Sequence, residues 1–504
     1  MRLDALCADM PVTVLRGGET RIRALTLDSR RAEPGVLFAA AVDPIRNGET
    51  FAPDAAARGA AILAASDLVS SAQAVVVAPN VREVFGRMAH RLAGDPTRGM
   101  TRVGVTGTNG QTTFTYLMEA ILERAARRPG VVGTVSYRYA GITEGAPNTT
   151  PEAPDLAALF VRMRGAGVDA IVMEASSHGL ALSRVAGLAF DLVAFTNLSR
   201  DHMDFHRDET DYLAAKTRLF TEYLADGGVC VINADDPAGR TIAGRVRGRV
   251  RLYGAAADAH YRIASYACDA SGVRFDLVTP AGELHVTSAL AGHYQVHNVA
   301  AAVASAIELG IAPETVQGAI AALPAVPGRM ERVTDDDVAV FVDYAHTPDA
   351  LENVVEACRR FTAGRLITVF GCGGDRDPGK RPLMARAAAA ASDVVVVTSD
   401  NPRTEDPHAI IAQILAGLAD AARDRIEAGE LAAYDGSRAL HVDADRRRAI
   451  ETAVLAARRG DTVLIAGKGH EDYQIIGREK IHMDDREEAA AALKKRAAAS
   501  RRTA

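Results

Sequence analysis

Residues 104 to 113 read G-V-T-G-T-N-G-Q-T-T, a glycine-rich segment between a strand-like and a helix-like stretch. Before it, residues 102–106 form a short β-branched run suited to a buried strand; after it, residues 114–127 carry apolar side chains at helical spacing. The three glycines between them allow the backbone to turn tightly and to bring its N–H groups close to a phosphate. The positive dipole end of the helix points at the same place. We therefore predict a phosphate-binding loop between a strand and a helix.

The loop departs from the usual pattern G-x-x-x-x-G-K-[ST] in two ways. The spacing of its first glycine differs, and Gln111 stands where such loops carry lysine. Thr112 or Thr113 can offer a hydroxyl to a magnesium ion, as in other phosphate loops. The alternative interpretation is a glycine-rich turn that binds no ligand.

Composition favours an enzyme over a nucleic-acid-binding protein. With 504 residues, of which 48% are hydrophobic and 24% charged, the chain is long enough for roughly two to four domains. A formal net charge of −6 argues against a nucleic-acid partner. The basic clusters at 494–496 and 501–502 are interpreted as a solvated helix end.

The cysteines indicate the compartment. The chain has five cysteines, all placed singly, and no C-x-x-C pair. This pattern favours a reducing cytoplasm without disulfides or structural zinc. The first fifteen residues hold no apolar run long enough for a signal peptide, and no segment reaches the length of a membrane span. We therefore expect a cytoplasmic protein with no membrane insertion.

Two polar or proline-containing joints divide the sequence. Residues 95–100 form the first, and Pro324, Pro327 and Gly328 mark the second. We predict domains over residues 1–97, 98–327 and 328–504. The fold class is α/β: a central, doubly wound, mainly parallel sheet carries the phosphate loop, and smaller α/β domains flank it. The buried-strand candidates beyond the loop are 171–174, 192–197, 229–233, 338–342, 366–370, 394–398 and 462–466.

Polar side chains collect after the ends of these strands, where an open α/β sheet binds its ligands. A single acid or histidine at such a place is more often a cap, but several clusters beside a phosphate loop favour a metal and phosphate site. Arg403, after a proline turn, could hold a carboxylate, and Glu471 could pair with an ammonium group. A surface ion pair is the alternative for each. The clusters lie at 174–178, 197–206, 343–348, 371–376, 400–403 and 467–471.

These segments resemble the Mur ligase family. The matching motifs are G-T-N-G-x-T-T at the loop, T-T-P at 149, E-A-S-S-H-G-L at 174, T-N-L-S-R-D-H-M-D-F-H at 196, Y-L-A-A-K at 212, D-Y-A-H-T-P-D-A-L at 343, D-N-P-R-T-E at 400 and G-K-G-H-E-D-Y-Q at 467. They occur in the family's order across essentially the whole chain. Within the family they are similar to the members that add diaminopimelate.

The resemblance implies an ATP-dependent amide ligase of peptidoglycan precursor synthesis. ATP would phosphorylate the D-glutamyl γ-carboxylate of a UDP-muramoyl dipeptide, and the amine of meso-diaminopimelate would displace phosphate. The implied cofactors are ATP and Mg²⁺, and the implied protein is a monomer acting on small molecules. The residues implied for ATP are Gly107, Thr108, Asn109, Gly110, Gln111, Thr112, Thr113, Asn298, Arg329 and His346.

The same resemblance implies the catalytic and metal-binding residues Lys216, His202 and Glu174. In such ligases a lysine is carbamylated to hold magnesium, and Lys216 is the matching position. Thr112 and Glu174 would hold one ion, and His202 with the carbamate would hold another. Without the resemblance, we would expect Lys216 to be an ordinary lysine facing solvent.

Substrate residues are implied in two groups. The D-N-P-R segment distinguishes diaminopimelate enzymes, because diaminopimelate carries a second carboxylate that Arg403 can pair. An arginine facing lysine would be an unpaired buried charge. The residues implied for the UDP-muramoyl dipeptide are Leu27, Ser29, Asn148, Thr149, Thr150, Ser176, Leu182 and Arg184; those for diaminopimelate are Arg376, Asp400, Asn401, Pro402, Arg403, Gly467 and Glu471.

Four features depart from the family pattern: Gln111, residues 44–46 near the uridine nucleotide, Leu182 in place of a glutamine, and Gln295 in place of an asparagine near the adenine. Loss of the lysine charge at 111 could reduce ligation between about tenfold and many thousandfold. The first hypothesis, which we favour, is a working ligase in which a nearby basic group or magnesium supplies that charge. The others are a diverged paralogue with a different amine or carboxylate, and a binding protein that has lost catalysis. Folylpolyglutamate synthetase is disfavoured by the D-N-P-R and S-S-H-G-L segments.

Overall fold

The computed structural model describes residues 1–43, 47–333, 337–419, 421, 423–436 and 438–503. The chain divides into two compact units. The first unit comprises residues 1–198, 205–260 and 301–316, and the second comprises residues 199–204, 261–300 and 317–504. Within the described residues, no helix has the length and apolar character needed to cross a membrane.

The first unit begins with a five-stranded sheet, as the predicted small α/β domain requires. Strands β2 to β5 pair in parallel in chain order, and β1 pairs antiparallel with β5. These elements are α1 (Leu3–Leu6), β1 (Thr13–Arg16), β2 (Ala24–Thr26), β3 (Val36–Ala39), α2 (Ala52–Ala57), β4 (Ala61–Ala64), β5 (Val75–Val77) and α3 (Val81–Leu92). The apolar residues of β3 and β4 are buried on both faces, which explains their unbroken apolar runs.

The phosphate-loop stretch opens the larger sheet of the first unit. In this unit the strand order is β13-β12-β11-β6-β10-β7-β8-β9, with all pairs from β13 to β7 parallel and a final antiparallel meander. The elements are β6 (Thr101–Thr106), α4 (Gln111–Arg124), β7 (Pro129–Val132), β8 (Ser136–Tyr139), β9 (Ile142–Gly145), α5 (Ala153–Gly165), β10 (Ala170–Glu174), α6 (Ser177–Ala181), β11 (Phe190–Phe195), α7 (Glu209–Thr221), β12 (Leu224–Asn233), α8 (Pro237–Ala243) and β13 (Arg249–Gly254).

The second unit is built on a seven-stranded sheet in the order β17-β18-β23-β19-β20-β22-β21, parallel except for β17. Its elements, with two helices that contribute residues to both units, are β14 (Tyr261–Asp269), β15 (Gly272–Thr279), β16 (Gly282–Ser288), α9 (Gln295–Glu308), α10 (Pro313–Ala322), β17 (Glu331–Arg332), β18 (Ala339–Asp343), α11 (Pro348–Phe361), β19 (Leu366–Phe370), α12 (Lys380–Ala391), β20 (Val394–Val397), α13 (Pro407–Ala416), β21 (Asp424–Arg425), β22 (Ala439–Val442), α14 (Arg446–Ala456), β23 (Thr462–Ala466), β24 (Tyr473–Ile476), β25 (Glu479–His482) and α15 (Asp485–Thr503).

The predicted fold class is confirmed: the sheets are mainly parallel and helices alternate with their strands. Two details of the predicted secondary structure were wrong. The helix after the loop runs from Gln111 to Arg124 and ends early, because Ala126 takes a left-handed conformation with φ 58°. The alternation expected up to about residue 327 is interrupted by the antiparallel meander β14 to β16. Its alternating buried and exposed side chains were a readable strand signal.

Candidate functional site

The phosphate-loop candidate lies between β6 and α4, at the carboxyl end of the parallel strands. Gly110 takes a left-handed conformation with φ 90°, which turns the chain into the helix. Phe114 donates the first helical hydrogen bond, from its N–H to the Gly110 carbonyl. The first-turn N–H groups of a helix have no acceptor within it, so this end of α4 can receive an anion.

The segment that follows β11 packs closely against the loop and donates and accepts hydrogen bonds there. A Cβ atom at Gly107 would lie 1.9 Å from Thr196 Oγ1, so only glycine fits there. The N–H groups of Thr108 and Asn109 donate to the backbone carbonyl and the side-chain oxygen of Asn197, at 2.8 and 2.9 Å. The segment after β11 therefore positions the loop from the neighbouring strand.

Gln111 does not extend away from the loop. Its Nε2 donates to the Gly107 carbonyl at 2.8 Å, and its buried Oε1 has no hydrogen-bond partner within the described chain. Lys216 Nζ donates to the same carbonyl at 2.5 Å. Lys216 is 1% exposed, so the expectation of a solvent-facing lysine was wrong: α7 turns this side chain inward, over the Tyr212 ring.

Glu174 ends β10 as a buried carboxylate, 2% exposed. Thr134 donates to both of its oxygens, from its N–H at 3.2 Å and from its hydroxyl at 2.6 Å. Within the described residues Glu174 forms no salt bridge with a basic side chain. A buried carboxylate without a cationic partner fits a metal ligand, and Thr112, 3% exposed, provides a hydroxyl in the same unit.

Several residues implied for the UDP-muramoyl dipeptide lie together beside Glu174. The Thr150 hydroxyl donates to the Glu174 carbonyl at 2.9 Å and accepts from the N–H of Ser176 at 3.0 Å. Arg184 donates to the Thr150 carbonyl at 3.0 Å. The Thr149 hydroxyl lies 3.0 Å from that of Thr134, and the Asn148 carbonyl accepts from Tyr137 at 2.6 Å.

Leu182 lines a separate cleft of about 490 Å³ in the first unit, together with Arg82 and Arg218. Leu27 packs against the small N-terminal core, and Ser29 starts a short 3-10 turn. These two residues are outside the lining of that cleft. The departure at 44–46 lies outside the described residues.

The second unit holds the remaining ATP and metal candidates. His202 has φ 57°, a strained conformation for a residue with a side chain, and its Nε2 lies 3.4 Å from Asp201 Oδ2. Burial opposes ionisation of Asp201, but the charges of His202 and His346 lower its pKa overall. Burial, with the charge of Lys380, lowers the pKa of His346 to about 4, so its imidazole is neutral at pH 7.

The segment after β18 carries Asp343, Tyr344 and His346. Asp343 accepts hydrogen bonds from the N–H groups of Met330 and Ala345, both at 2.7 Å, and burial raises its pKa. The Arg329 guanidinium lies 4.7 Å from the centre of the Tyr344 ring. Asn298, on α9, donates to Gln295 at 2.9 Å. The glutamine at 295 therefore holds the predicted adenine-side residue in place.

The D-N-P-R segment and the turn after β23 form one buried cluster. Lys468 is fully buried, and its Nζ lies 3.5 Å from Asp400, 3.2 Å from Asn401 and 3.2 Å from Glu471. Asn401 also donates to Glu471 at 2.9 Å. Burial and the charge of Asp400 raise the pKa of Glu471, and Lys468 offsets part of that shift. Gly467 has φ 119°, a backbone conformation that favours glycine, and a Cβ there would lie 3.1 Å from Asp400 Oδ2.

Arg403 follows Pro402 with φ 52° and donates to the Gly374 carbonyl at 2.7 Å. Its backbone pairs with β24, since its N–H donates to Ile475 at 3.0 Å. Arg376 donates to the carbonyl of its neighbour Asp375, at 3.0 Å. Its guanidinium forms no ion pair within the described chain.

A buried ion pair supports this cluster. Arg446 and Asp485 are joined by two hydrogen bonds of 2.8 and 2.6 Å, and both side chains are fully buried. Arg446 also lowers the pKa of Asp400, together with Lys468 and against the effect of burial. Asp485 begins α15, so the last helix of the chain provides the counter-ion behind the cluster.

Sequence reasoning missed three residues that hold this chemistry in place: Thr134, Arg446 and Lys468. Lys468 belongs to the motif G-K-G-H-E-D-Y-Q, but no feature of the sequence indicated that its side chain is buried. Thr134 lies in an ordinary turn between β7 and β8, and only the fold brings it to Glu174. Within the described part of the chain, no three His, Cys, Asp or Glu side chains are placed to hold a metal ion by themselves.

Comparison with protein families gives two matches. Residues 105–306 match the model of the Mur ligase middle domain, and residues 328–469 match that of the Mur ligase glutamate ligase domain. Together these two models reach from the phosphate loop to the turn after β23.

Curated relatives are similar over almost the whole chain. Proteins from Geobacter sulfurreducens and Gloeobacter violaceus, both named UDP-N-acetylmuramoyl-L-alanyl-D-glutamate--2,6-diaminopimelate ligase, are 44% and 45% identical. The first match covers 97% of this chain and 98% of the relative, and the second covers 97% of each. A solved structure of a ligase with the same name is 34% identical, covers 99% of both chains and has a TM-score of 0.70.

A more distant structure shows the fold alone. Folylpolyglutamate synthase from Mycobacterium tuberculosis, complexed with ADP and AMPPCP, is 19% identical with a TM-score of 0.59. The match covers 81% of this chain and 93% of that one.

Proposed function

This chain belongs to the Mur ligase family, and we propose that it is the member that joins meso-2,6-diaminopimelate to UDP-N-acetylmuramoyl-L-alanyl-D-glutamate, with hydrolysis of ATP. The arrangement that carries the proposal is the buried cluster around Lys468, with Arg403 on the adjoining turn. We further propose domains over residues 1–97, 98–327 and 328–504, and a cytoplasmic monomer.

The reaction proceeds in two steps. The γ-phosphoryl group of ATP passes to the γ-carboxylate of the D-glutamyl residue, leaving ADP and an acyl phosphate. The amine of diaminopimelate then attacks the acyl carbon, inorganic phosphate leaves with the bonding electrons, and a proton is lost from nitrogen. The products are the amide, ADP and phosphate.

Residues of the first unit bind ATP and the acceptor carboxylate in this proposal. The α4 end from Gln111 to Thr113 receives phosphate oxygens, since it opens toward the loop. Thr150, Ser176 and Arg184 hold the dipeptide, because their hydrogen bonds place three polar groups around one short segment. Leu27, Ser29, Asn148, Thr149 and Leu182 complete the proposed site for the UDP-muramoyl dipeptide.

Magnesium fits the first implied site. Glu174 and Thr112 would hold it, because Glu174 is a buried carboxylate with hydrogen-bond donors but no basic partner among the described residues. When bound, the ion neutralises phosphate charge during transfer. The second implied site, His202 with a carbamate on Lys216, stays a proposal. Lys216 Nζ lies beside the Gly107 carbonyl and over the Tyr212 ring.

Residues of the second unit bind the amino acid and the rest of the nucleotide. Glu471 and Asp400 attract an ammonium group, and Arg403 attracts the carboxylate that lysine lacks. Asn401, Pro402, Gly467 and Arg376 complete the proposed pocket. Asn298, Arg329 and His346 contact ATP in this proposal. His346 acts there as a neutral hydrogen-bonding group, since burial lowers its pKa to about 4.

The test is a reconstitution with purified protein, UDP-muramoyl dipeptide, ATP, magnesium and either meso-diaminopimelate or L-lysine. We expect phosphate release and a tripeptide product with diaminopimelate, and at least a hundredfold lower kcat/KM with lysine. Turnover with lysine at equal efficiency, or only with another amine, would support a diverged paralogue. ATP binding without any product would support a binding protein that has lost catalysis.

A further inference from the structure

The amino-acid pocket proposed above contains a lysine that has no surface for a ligand to contact. Lys468, in the turn after β23, is 0% exposed. The side chain of Glu471, three residues further along, is 17% exposed, so a ligand can approach its carboxylate. Any effect of Lys468 on the substrate must therefore pass through the side chains around it.

Lys468 joins two segments that are distant in the chain. Its Nζ donates to Asn401 Oδ1 and to Glu471 Oε2, both at 3.2 Å, and a longer contact of 3.5 Å reaches Asp400. The Asn401 oxygen also accepts from the N–H of Ile475 at 2.9 Å, so two donors fix the orientation of this amide. Its Nδ2 then donates to the same Glu471 oxygen at 2.9 Å. The position of the Glu471 carboxylate is therefore set by the lysine and by an amide that the lysine helps to orient.

The charges of this cluster leave room for one cation from a ligand. Asp400 and Glu471 are carboxylates, and the Lys468 ammonium group lies between them. Behind them, the ion pair of Arg446 with Asp485 is fully buried and neutral as a whole. These groups together carry one net negative charge. A substrate with one ammonium group at this end balances that charge.

Without Lys468, two carboxylates would share a buried site with less compensation, and one of them would tend to take up a proton. Burial and the charge of Asp400 already raise the pKa of Glu471, and Lys468 opposes that shift. Burial also opposes ionisation of Asp400, but the charges of Lys468 and Arg446 lower its pKa overall. The other titratable or charged groups around Glu471 are Arg446, Tyr344, His470 and Tyr473.

We propose that Lys468 is a positioning residue that holds the Glu471 carboxylate as an oriented anion, so that this carboxylate receives the distal ammonium group of the amino acid. The inference rests on the proposed function, because it assumes that diaminopimelate occupies the pocket. In that proposal Arg403 attracts the carboxylate of the same end of the substrate. The ammonium group and the carboxylate are then held by separate side chains.

The test is the KM for meso-diaminopimelate with saturating ATP, magnesium and UDP-muramoyl dipeptide, using the full-length protein. Lys468→Met keeps an unbranched side chain and removes the charge. We expect KM to rise roughly tenfold to a hundredfold at pH 7, with ATP affinity within about twofold of the parent. Lys494→Met, at an exposed position on α15, is the matched control and should behave like the parent.

The pH dependence separates a lost charge from lost packing. The ratio of the KM of Lys468→Met to that of the parent should fall as the pH rises from about 6.5 to 8.5, because the carboxyl group that has taken up a proton ionises again. A parental KM at every pH would overturn the proposal. A raised KM whose ratio to the parent does not change with pH would overturn it as well.

A second comparison establishes whether Lys468 acts through Glu471. In a Glu471→Gln protein, the added change Lys468→Met should alter KM by about threefold or less, because the carboxylate that the lysine orients is absent. This pair variant loses one charge of each sign, so the comparison holds even where Lys468→Met alone does not fold. A further rise of roughly tenfold would overturn the proposal. If the parent forms no product with diaminopimelate, the proposed function itself fails, and this inference fails with it.

Discussion

Gln111 and Lys216, which lie on different helices, donate hydrogen bonds to one acceptor, the carbonyl of Gly107. Gln111 belongs to the first turn of α4, and Lys216 lies in the middle of α7. The departure that the sequence places at a single position is therefore part of a pair.

Gln111→Lys should destabilise the protein without improving ligation. Lys216 Nζ and Gln111 Nε2 lie no more than about 5.3 Å apart, the sum of their 2.5 and 2.8 Å distances to the Gly107 oxygen. Two ammonium groups at that separation repel each other by on the order of 3 kcal/mol at an effective dielectric constant of 20, with solvent reducing this value. Urea unfolding of the ligand-free protein measures the loss. Gln111→Glu is the control of opposite sign, since it should stabilise the free protein and weaken ATP binding. A Gln111→Lys protein of parental stability would contradict this repulsion.

Thr134→Ala should weaken the support of Glu174. The substitution removes the 2.6 Å hydrogen bond from the hydroxyl and leaves a buried carboxylate with one donor fewer, at a cost of about 1 to 3 kcal/mol. Urea unfolding and the magnesium dependence of kcat are the measurements. Thr134→Ser retains the hydroxyl and should behave like the parent. If serine and alanine gave the same loss, the methyl group rather than the hydrogen bond would be responsible.

Arg403→Lys should impair use of diaminopimelate far more than ATP binding. Lysine cannot reproduce the two-pronged contact of a guanidinium with a carboxylate, so KM for diaminopimelate should rise roughly tenfold to a hundredfold. The affinity for ATP should change less than twofold. Arg386→Lys is the matched control, because Arg386 is exposed on α12. Equal losses for both ligands would remove Arg403 from the amino-acid pocket.

His90 should make the protein sensitive to acid. The side chain is 2% exposed, neither ring nitrogen has a hydrogen-bond partner among the residues that the structure describes, and burial lowers its pKa from 6.5 to about 4. The unfolded chain therefore binds a proton below pH 6.5 that the folded protein excludes. The contribution of His90 to the free energy of unfolding therefore falls as the pH drops from 6.5 to about 4, and it changes little below pH 4.

His90→Leu tests this expectation. The variant should be more stable than the parent at pH 5 by about 1 to 2 kcal/mol, and the difference should shrink toward pH 7, in urea unfolding at both values. His408→Leu, at an exposed position, is the control and should leave the pH dependence unchanged. A pH-independent effect of His90→Leu would show that packing, not protonation, separates the two proteins.

The sequence predicted the parallel framework well because buried strands carry continuous apolar runs: two predicted strands, 366–370 and 462–466, match the observed bounds. Prediction from the sequence was less accurate for side chains whose burial or position depends on residues distant in the chain. Lys216 has the local sequence of a surface lysine, and only the position of α7 against the loop buries it. Thr134 is likewise positioned by the pairing of β10 with β7, which no local pattern encodes.

The lack of room for a side chain at Gly107 limits which substitutions the loop can accept during evolution. A side chain there would collide with the Thr196 hydroxyl, which itself donates to the Asn109 carbonyl at 2.6 Å. A side chain at 107 would block the loop, and loss of the Thr196 hydroxyl would remove a donor that holds it. Among descendants of this protein, a residue larger than glycine at 107 should therefore appear only with a residue other than threonine at 196.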